Sequence, residues 1–319
     1  VDKEGISTLK TMADAERIYT MQGKRAVVIG AGSIGVEACI SLTRRGIKAT
    51  LLEQLGQVMP TVFDAEAAAI VRKRIEDLGI EVFTGEKALR FTGDKRVSGV
   101  VTDNREIPCD MVVLSVGVRP QTELAVQAGI ALGDMKGIRV DETMQTSAPD
   151  IYAAGDVAET HDIARDTWFL NAIWPCAFEQ GHYAGLNMAG QKTLYPGSYR
   201  RNSIGNFIGI PAISMGVTAA ESCAMTSDED EFREIRVRTK DAYKKLVLRN
   251  GKVIGAILVG QTQKAGLMSI LLRKQVYVAD SIPMLMSDRL NFMDLLPILR
   301  RNADQFSEPE YKELMDTGL

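Results

Sequence analysis

Short apolar runs alternate with helix-length amphipathic stretches over the first third of the chain. Runs beginning near Ala26, Lys48, Glu81, Val97 and Asp110 read as strands. The run at 111–115, Met-Val-Val-Leu-Ser, is almost wholly apolar, as expected of a strand covered on both faces. Between the first two strands lies an amphipathic helix that stops at Gly46, and residues 64–78 carry apolar positions at helical spacing up to Gly79. A shorter helix is expected at 12–21, inside a lead-in over residues 1–22. The next segment predicts a strand at 150–154, then Gly155-Asp156-Val157, then a helix at 175–188 that ends at Gly190. From Gln191 the pattern turns strand-rich, with strands expected at 206–215, 233–238, 245–248 and 253–259. Asn250-Gly251 between the last two is a hairpin signal, because both turn positions need positive φ. A helix at 264–274 and a Met- and Leu-rich tail from Ala279 complete the pattern, with no repeat at solenoid period.

With 319 residues, 45% of them hydrophobic, the chain exceeds one ordinary domain and can bury a sizeable core. A formal net charge of −3 argues against a nucleic-acid partner, whose binding rests on phosphate neutralisation. No apolar run is long enough to cross a bilayer. The sequence starts with Val rather than Met, so a cut or incomplete N-terminus is expected. Cys39, Cys109, Cys176 and Cys223 are widely spaced without a CxxC pair, which suits structural thiols in a reducing, cytoplasmic setting. Only His161 and His182 are present and no Cys/His cluster forms, so no metal site is expected. The acidic run Ser227-Asp-Glu-Asp-Glu231 reads as a solvated loop.

The candidate chemistry starts where the first long strand ends. Gly30-x-Gly32-x-x-Gly35 follows it directly, and the second strand closes on Glu53. Gly30 permits the tight turn, Gly32 lets the backbone approach a pyrophosphate, and Gly35 lets the helix pack close to the sheet. Ser33 and Ile34 open the helix, whose free N–H groups and partial positive charge suit phosphate. Glu53 is placed to accept hydrogen bonds from a ribose diol, and its charge would repel a 2′-phosphate, which favours NAD(H) over NADP(H). Residues 54–57 include no Arg to reverse that preference. The fold class expected is α/β: a Rossmann-like NAD-binding domain with its lead-in (1–119), a second segment (120–190) and a C-terminal α+β domain (191–319).

Three stretches together carry a family resemblance: 27–37 around the glycines, Leu-Ser-Val-Gly-Val-Arg-Pro-Gln at 114–121, and Thr-Ser-Ala-Pro-Asp-Ile-Tyr-Ala-Ala-Gly-Asp-Val at 146–157. On these residues the chain resembles the two-dinucleotide-binding flavoproteins, the pyridine nucleotide-disulfide oxidoreductase family. The resemblance implies FAD and NAD as cofactors and makes 120–190 the C-terminal part of an FAD-binding domain. It places Gly155, Asp156 and Val157 at the flavin's ribityl and pyrophosphate region, with Asp156 at the C-terminal end of a strand. It also implies that Glu37 faces the flavin–nicotinamide contact, a surface or capping role being the alternative, while their place at the end of a parallel strand puts Val116 and Gly117 on the nicotinamide side. The Trp174-x-x-Ala177-x-x-Gln180 spacing is similar to the ferredoxin- and rubredoxin-reductase branch, in which an aromatic residue flanks a ring; core packing is the alternative for Trp174. Cys176, at the start of the same helix, is expected to be a buried apolar residue. The stretch 243–260 resembles the C-terminal domain of NADH:rubredoxin reductases and of nitrite reductase flavoproteins, a domain that forms interfaces.

The family's first GxGxxG, which cradles the FAD pyrophosphate, has no counterpart in this sequence, and the chain reads as a truncated product or one part of a split flavoprotein. The function implied is hydride transfer between NADH and FAD, with electrons passed on to an acceptor, a small redox protein or a small molecule, in a homodimer. Two alternatives stand beside it. One is an NADH oxidase or coenzyme A-disulfide reductase type enzyme, with its redox cysteine in the missing half. The other is a non-catalytic NAD-binding fragment or subunit.

Overall fold

The computed structural model describes residues 3–219, 230–240 and 242–306, which form two compact units. The first comprises residues 3–118 with Ser203–Ala212, the second residues 119–202 with the chain from Ile213 onward.

In the first unit the elements run β1 (Ile6–Thr8), α1 (Met12–Thr20), β2 (Arg25–Ile29), α2 (Ser33–Arg44), β3 (Lys48–Glu53), α3 (Ala65–Asp77), β4 (Glu81–Thr84), β5 (Ala88–Thr92), β6 (Gly99–Thr102), β7 (Glu106–Pro108) and β8 (Met111–Leu114). Strands β1-β8-β2-β3-β4 form an all-parallel sheet, in the register Ile29↔Leu52 and Ile29↔Leu114. Val27, Val28, Leu51, Leu52 and Met111–Val113 are almost fully buried, which explains why these strands read as unbroken apolar runs. On α2, Val36, Cys39, Ile40 and Leu42 face inward against β2, β3 and β8. Helix α3 starts where the Asp64 side chain accepts the Ala67 N–H at 3.0 Å, and it buries Ala67, Ala68, Val71 and Ile75. The antiparallel β5-β6-β7 sheet belongs to the same unit; only β6 was foreshadowed, by the run near Val97.

The second unit contains α4 (Glu123–Gln127), β9 (Ile138–Arg139), β10 (Ala158–Asp162), β11 (Thr167–Phe169), α5 (Trp174–Met188), β14 (Phe232–Arg238), β15 (Tyr243–Arg249), β16 (Lys252–Val259), α6 (Ala265–Arg273), α7 (Ile282–Met286) and α8 (Phe292–Arg301). Strands β12 (Arg201–Ile204) and β13 (Ala212–Gly216) complete a five-stranded sheet in the order β12-β13-β16-β15-β14. Its core gathers Leu246, Leu248, Ile254, Met268, Leu271 and Leu299. The β15–β16 hairpin turns at Asn250 (φ 51°) and Gly251 (φ 75°), both left-handed as the dipeptide predicts.

Two strand expectations are corrected. Residues 150–154 make only a single bridge, Gln145↔Tyr152, and Asp150 is left-handed (φ 61°), so no ladder propagates. Gly155–Val157 instead form a turn closed by the Ala158 N–H on the Gly155 carbonyl at 3.0 Å. Asp156 therefore precedes β10 rather than ending a strand. The expected strand at 206–215 is broken by a 3-10 turn at Asn206–Ile208 and by Pro211, which has no N–H to give a ladder. Cys223 and residues 227–229 of the acidic run lie outside the described residues.

Candidate functional site

The glycine turn lies at the carboxyl end of β2, where an open parallel sheet presents its ligand crevice. A cavity of about 390 Å³ opens there, lined by Gly30, Gly32, Glu53, Leu55, Val116 and Gly117 among others. Gly30 has φ +99°, and a β-carbon on it would lie 2.1 Å from the Ser115 carbonyl oxygen. One on Gly35 would lie 1.8 Å from the Gly30 carbonyl oxygen. Both positions are thus closed to any other residue by the protein itself. Gly32 differs, since its φ is −72° and a β-carbon there would meet no atom within 4 Å. Nothing in the chain requires glycine at position 32. The space beside it is open and adjoins the cavity.

Gly32 is also the N-cap of α2 and offers no side-chain cap, so the amides at the start of Ser33, Ile34 and Gly35 have no side-chain acceptor. No acidic residue sits in that first turn. Glu53 is 7% exposed, and its two carboxylate oxygens accept the Ala31 N–H at 2.8 Å and the Leu55 N–H at 2.9 Å. It braces the glycine turn and still has lone pairs for a diol. Val116 is 74% exposed, at the end of β8. The cavity wall also holds Glu86, which no motif or spacing singles out. This buried carboxylate accepts the Thr102 hydroxyl at 2.6 Å and pairs with Arg105 at 3.0 Å.

Glu37 does not line this cavity. It faces a second cleft of the same unit, about 500 Å³, between α1 and α2, with Met12, Ile18, Tyr19 and Ile34. Burial among these side chains raises its carboxyl above the ordinary 4.5. A folded-state value above the unfolded one means that ionisation opposes folding as pH rises past about 4.5. Glu37→Gln is therefore expected to raise the melting temperature at neutral pH and to leave it unchanged below about pH 4. Thermal melts at the two pH values check this, and an equal gain at both would show that charge is not the cause.

The remaining expected site residues belong to the second unit. Gly155 (φ +84°) donates its N–H to Gln180 Oε1 at 2.8 Å, and the buried Gln180 donates onward to Thr160 at 3.3 Å. Gln180 is thus the tie between α5 and the Gly155–Val157 turn, a role its sequence spacing did not reveal. Asp156 is exposed and makes no hydrogen bond among the described residues. Trp174 is 83% exposed and Phe178, one turn later, is 71% exposed, so core packing does not account for the indole. Cys176 faces the other way, buried, and burial pushes its thiol up to about 11. Cys109 is likewise raised to about 11 and Cys39 further still, so none of the three is a ready thiolate. Among the described residues no group of three or more His, Cys, Asp or Glu side chains could hold a metal, and no helix is long and apolar enough to cross a membrane.

Residues 1–181 match the family model described as pyridine nucleotide-disulphide oxidoreductase, and residues 203–276 match the rubredoxin NAD+ reductase C-terminal domain. An NADH oxidase of Methanocaldococcus jannaschii is 32% identical over 292 residues, which are 86% of this chain and 64% of that protein. A nitrite reductase [NAD(P)H] of Bacillus subtilis is 28% identical over 88% of this chain and 33% of its own length. The solved structure of an NAD-dependent persulfide reductase from A. fulgidus superposes with a TM-score of 0.82 at 26% identity, covering 95% of this chain and 60% of that one. The chain thus spans about a third to two-thirds of the length of these relatives.

Proposed function

Because the chain belongs to the pyridine nucleotide-disulphide oxidoreductase family, we propose that it carries the NAD-binding and C-terminal parts of an NADH-dependent flavoprotein oxidoreductase. In this reading residues 1–119 bind NADH, 120–190 are the C-terminal part of an FAD-binding domain, and 191–319 form the interface domain. The observation that carries the reading is the open space at Gly32 beside an uncapped helix start.

Gly32 gives the pyrophosphate its approach, Ser33, Ile34 and Gly35 offer amides, and Glu53 holds the ribose diol. Val116 and Gly117 take the nicotinamide side. For the flavin, the left-handed Gly155, the exposed Asp156 carboxylate, Val157 and the exposed Trp174 ring are the residues that fit. Gln180 fixes the turn that presents Asp156. The family resemblance would assign Glu37 to the ring contact, but its carboxylate faces the cleft between α1 and α2 and not the cavity of Val116 and Gly117, so Glu37 is left out of the nicotinamide contact. With both dinucleotides bound, the chemistry that they supply is hydride transfer between nicotinamide and flavin. The acceptor is a small redox protein or a small molecule, and the setting is a cytoplasmic homodimer. If the branch is that of the NADH oxidases and uses a redox cysteine, Cys39, Cys109 and Cys176 are too deeply buried to serve.

Titration of the chain with NADH, followed by tryptophan fluorescence, is the test, with the visible spectrum then recorded after FAD and again after NADH. Saturable quenching, and a flavin band that bleaches on adding NADH, are expected. No quenching at millimolar NADH would overturn the NAD assignment, and a chain that binds NADH but never retains a flavin band would make it an NAD-binding module only.

A further inference from the structure

The Gly155 amide, at the left-handed residue that precedes Asp156, is taken by a side chain rather than by a strand partner. Behind Gln180, which takes it, a file of polar side chains runs through the second unit. Gln180 Nε2 donates to Thr160 Oγ1 at 3.3 Å, and the Thr160 and Ser198 hydroxyls lie 3.1 Å apart. Asn171 Nδ2 donates to Ser198 Oγ at 2.9 Å and to Asp162 Oδ2 at 2.7 Å. Asp162 is anchored in turn. Its Oδ1 accepts the Ala164 and Arg165 N–H groups, both at 2.9 Å, and the Arg165 guanidinium pairs with Oδ2 at 3.0 Å. Gln180, Thr160, Ser198, Asn171 and Asp162 are all buried.

Burying polar side chains is costly unless each finds partners, and a satisfied buried network fixes one arrangement. Here the donors run in a definite sense. A backbone N–H only donates and a carboxylate only accepts. Gln180 therefore turns Oε1 to Gly155 and Nε2 to Thr160, while Asn171 turns its NH2 group to Asp162 and Ser198. A flip of either amide would set donor on donor or acceptor on acceptor. Asn171 Oδ1 has no hydrogen-bond partner among the described residues, so the NH2 group alone holds that side chain. Thr160 and Asp162, two apart on β10, point to the same face and span the interval. The file ends at two places proposed to meet the flavin. One is the turn at 155–157; the other is the entry to α5, where Asn171 stands three residues before Trp174.

We propose that Thr160, Ser198 and Asn171 are positioning residues for the flavin. Anchored on Asp162, they act through Gln180 to hold the Gly155–Val157 turn that presents Asp156, and Asn171 holds the entry of the helix that carries Trp174. The inference rests on the flavin reading of that turn given above. None of the three has to touch the cofactor. What they supply is a turn already in its binding conformation, so that binding does not have to order it.

Amide hydrogen exchange at Gly155 in the full chain without cofactor is the measurement, and titration of the same variants with FAD is the second readout. Thr160→Val keeps the shape of the side chain and removes the hydroxyl. It is expected to quicken exchange at Gly155 about tenfold and to weaken FAD binding about tenfold, because Gln180 loses a buried partner. Thr160→Ser restores the hydroxyl and is expected to stay within about twofold of the wild type in both. Ser198→Ala leaves Gln180 and Gly155 their own bond, yet it is expected to quicken the same amide about threefold. The amides of Leu246 and Leu248 on β15 report the general stability of the unit and are expected to keep their wild-type rates. Equal acceleration at β15, a Thr160→Ser chain that behaves like Thr160→Val, or wild-type exchange at Gly155 in Ser198→Ala would each reduce the file to core packing and overturn the proposal. Should Thr160→Val fail to fold, Ser198→Ala decides alone. A wild type that retains no FAD overturns the flavin reading instead, and exchange at Gly155 still decides whether the file holds the turn.

Discussion

Gly32→Asp is expected to abolish NADH binding while leaving the chain as stable as the wild type. Two observations combine to give this outcome. The backbone at position 32 has φ −72° and ψ −178°, extended values that any residue adopts, and a β-carbon there meets no atom within 4 Å beyond its chain neighbours. Aspartate is moreover among the best N-caps, so it supplies α2 with the side-chain acceptor that the helix lacks. The folded chain gains slightly from the change. The dinucleotide loses its place, because the new side chain fills the space beside the backbone and sets a carboxylate against the pyrophosphate. A loss of about 100-fold or more in affinity is expected, roughly 3 kcal/mol.

Gly35→Ala gives the opposite signature. Its methyl group would lie 1.8 Å from the Gly30 carbonyl, so the glycine turn and the helix start have to part, at a cost of about 3 kcal/mol. Calorimetric melts and NADH titrations of the two variants separate the roles. Binding retained in Gly32→Asp would remove the dinucleotide from this cavity. Unfolding of Gly32→Asp would show that the chain itself depends on glycine there.

The central strands β2, β3 and β8 and the glycine turn were legible because these strands are buried on both faces and the helices between them end at residues with an unambiguous conformation, whereas the three-residue edge strand β1 lay unrecognised inside the lead-in. Gly46 and Gly79, both left-handed, stop α2 and α3 where the pattern says they should. The Asn250-Gly251 hairpin was legible for the same reason: local chemistry and tertiary structure agree. The strand expected at 150–154 failed because a short apolar run does not reveal whether a neighbour exists to complete its ladder. Glu86 escaped notice because its burial depends on Thr102 and Arg105, partners that only the folded chain brings to it. Gln180 stood inside a recognised spacing, yet its bond to the Gly155 amide spans 25 positions in sequence. Periodicity carries elements and caps; it does not carry long-range pairs of polar groups.

Glu53 makes the second large prediction, because one buried carboxylate is asked to do two things. It braces the glycine turn through the Ala31 and Leu55 amides, and it faces the cavity where the adenosine ribose is assigned. Glu53→Gln keeps the shape but leaves a single acceptor oxygen for two amide donors, with an NH2 group against the second. One buried N–H loses its partner, at a cost of about 1–3 kcal/mol in stability. NADH affinity is expected to fall about 10- to 100-fold, by the same order of free energy. The decisive quantity is the ratio of NADPH to NADH dissociation constants. In the wild type the carboxylate repels a 2′-phosphate, and a neutral amide does not, so the preference for NADH should narrow in Glu53→Gln. If Glu53 only braced the turn, both nucleotides would weaken by the same factor and the ratio would stay where it was. A falling ratio therefore places the ribose on Glu53, and an unchanged one restricts the residue to holding Ala31 between its two glycines.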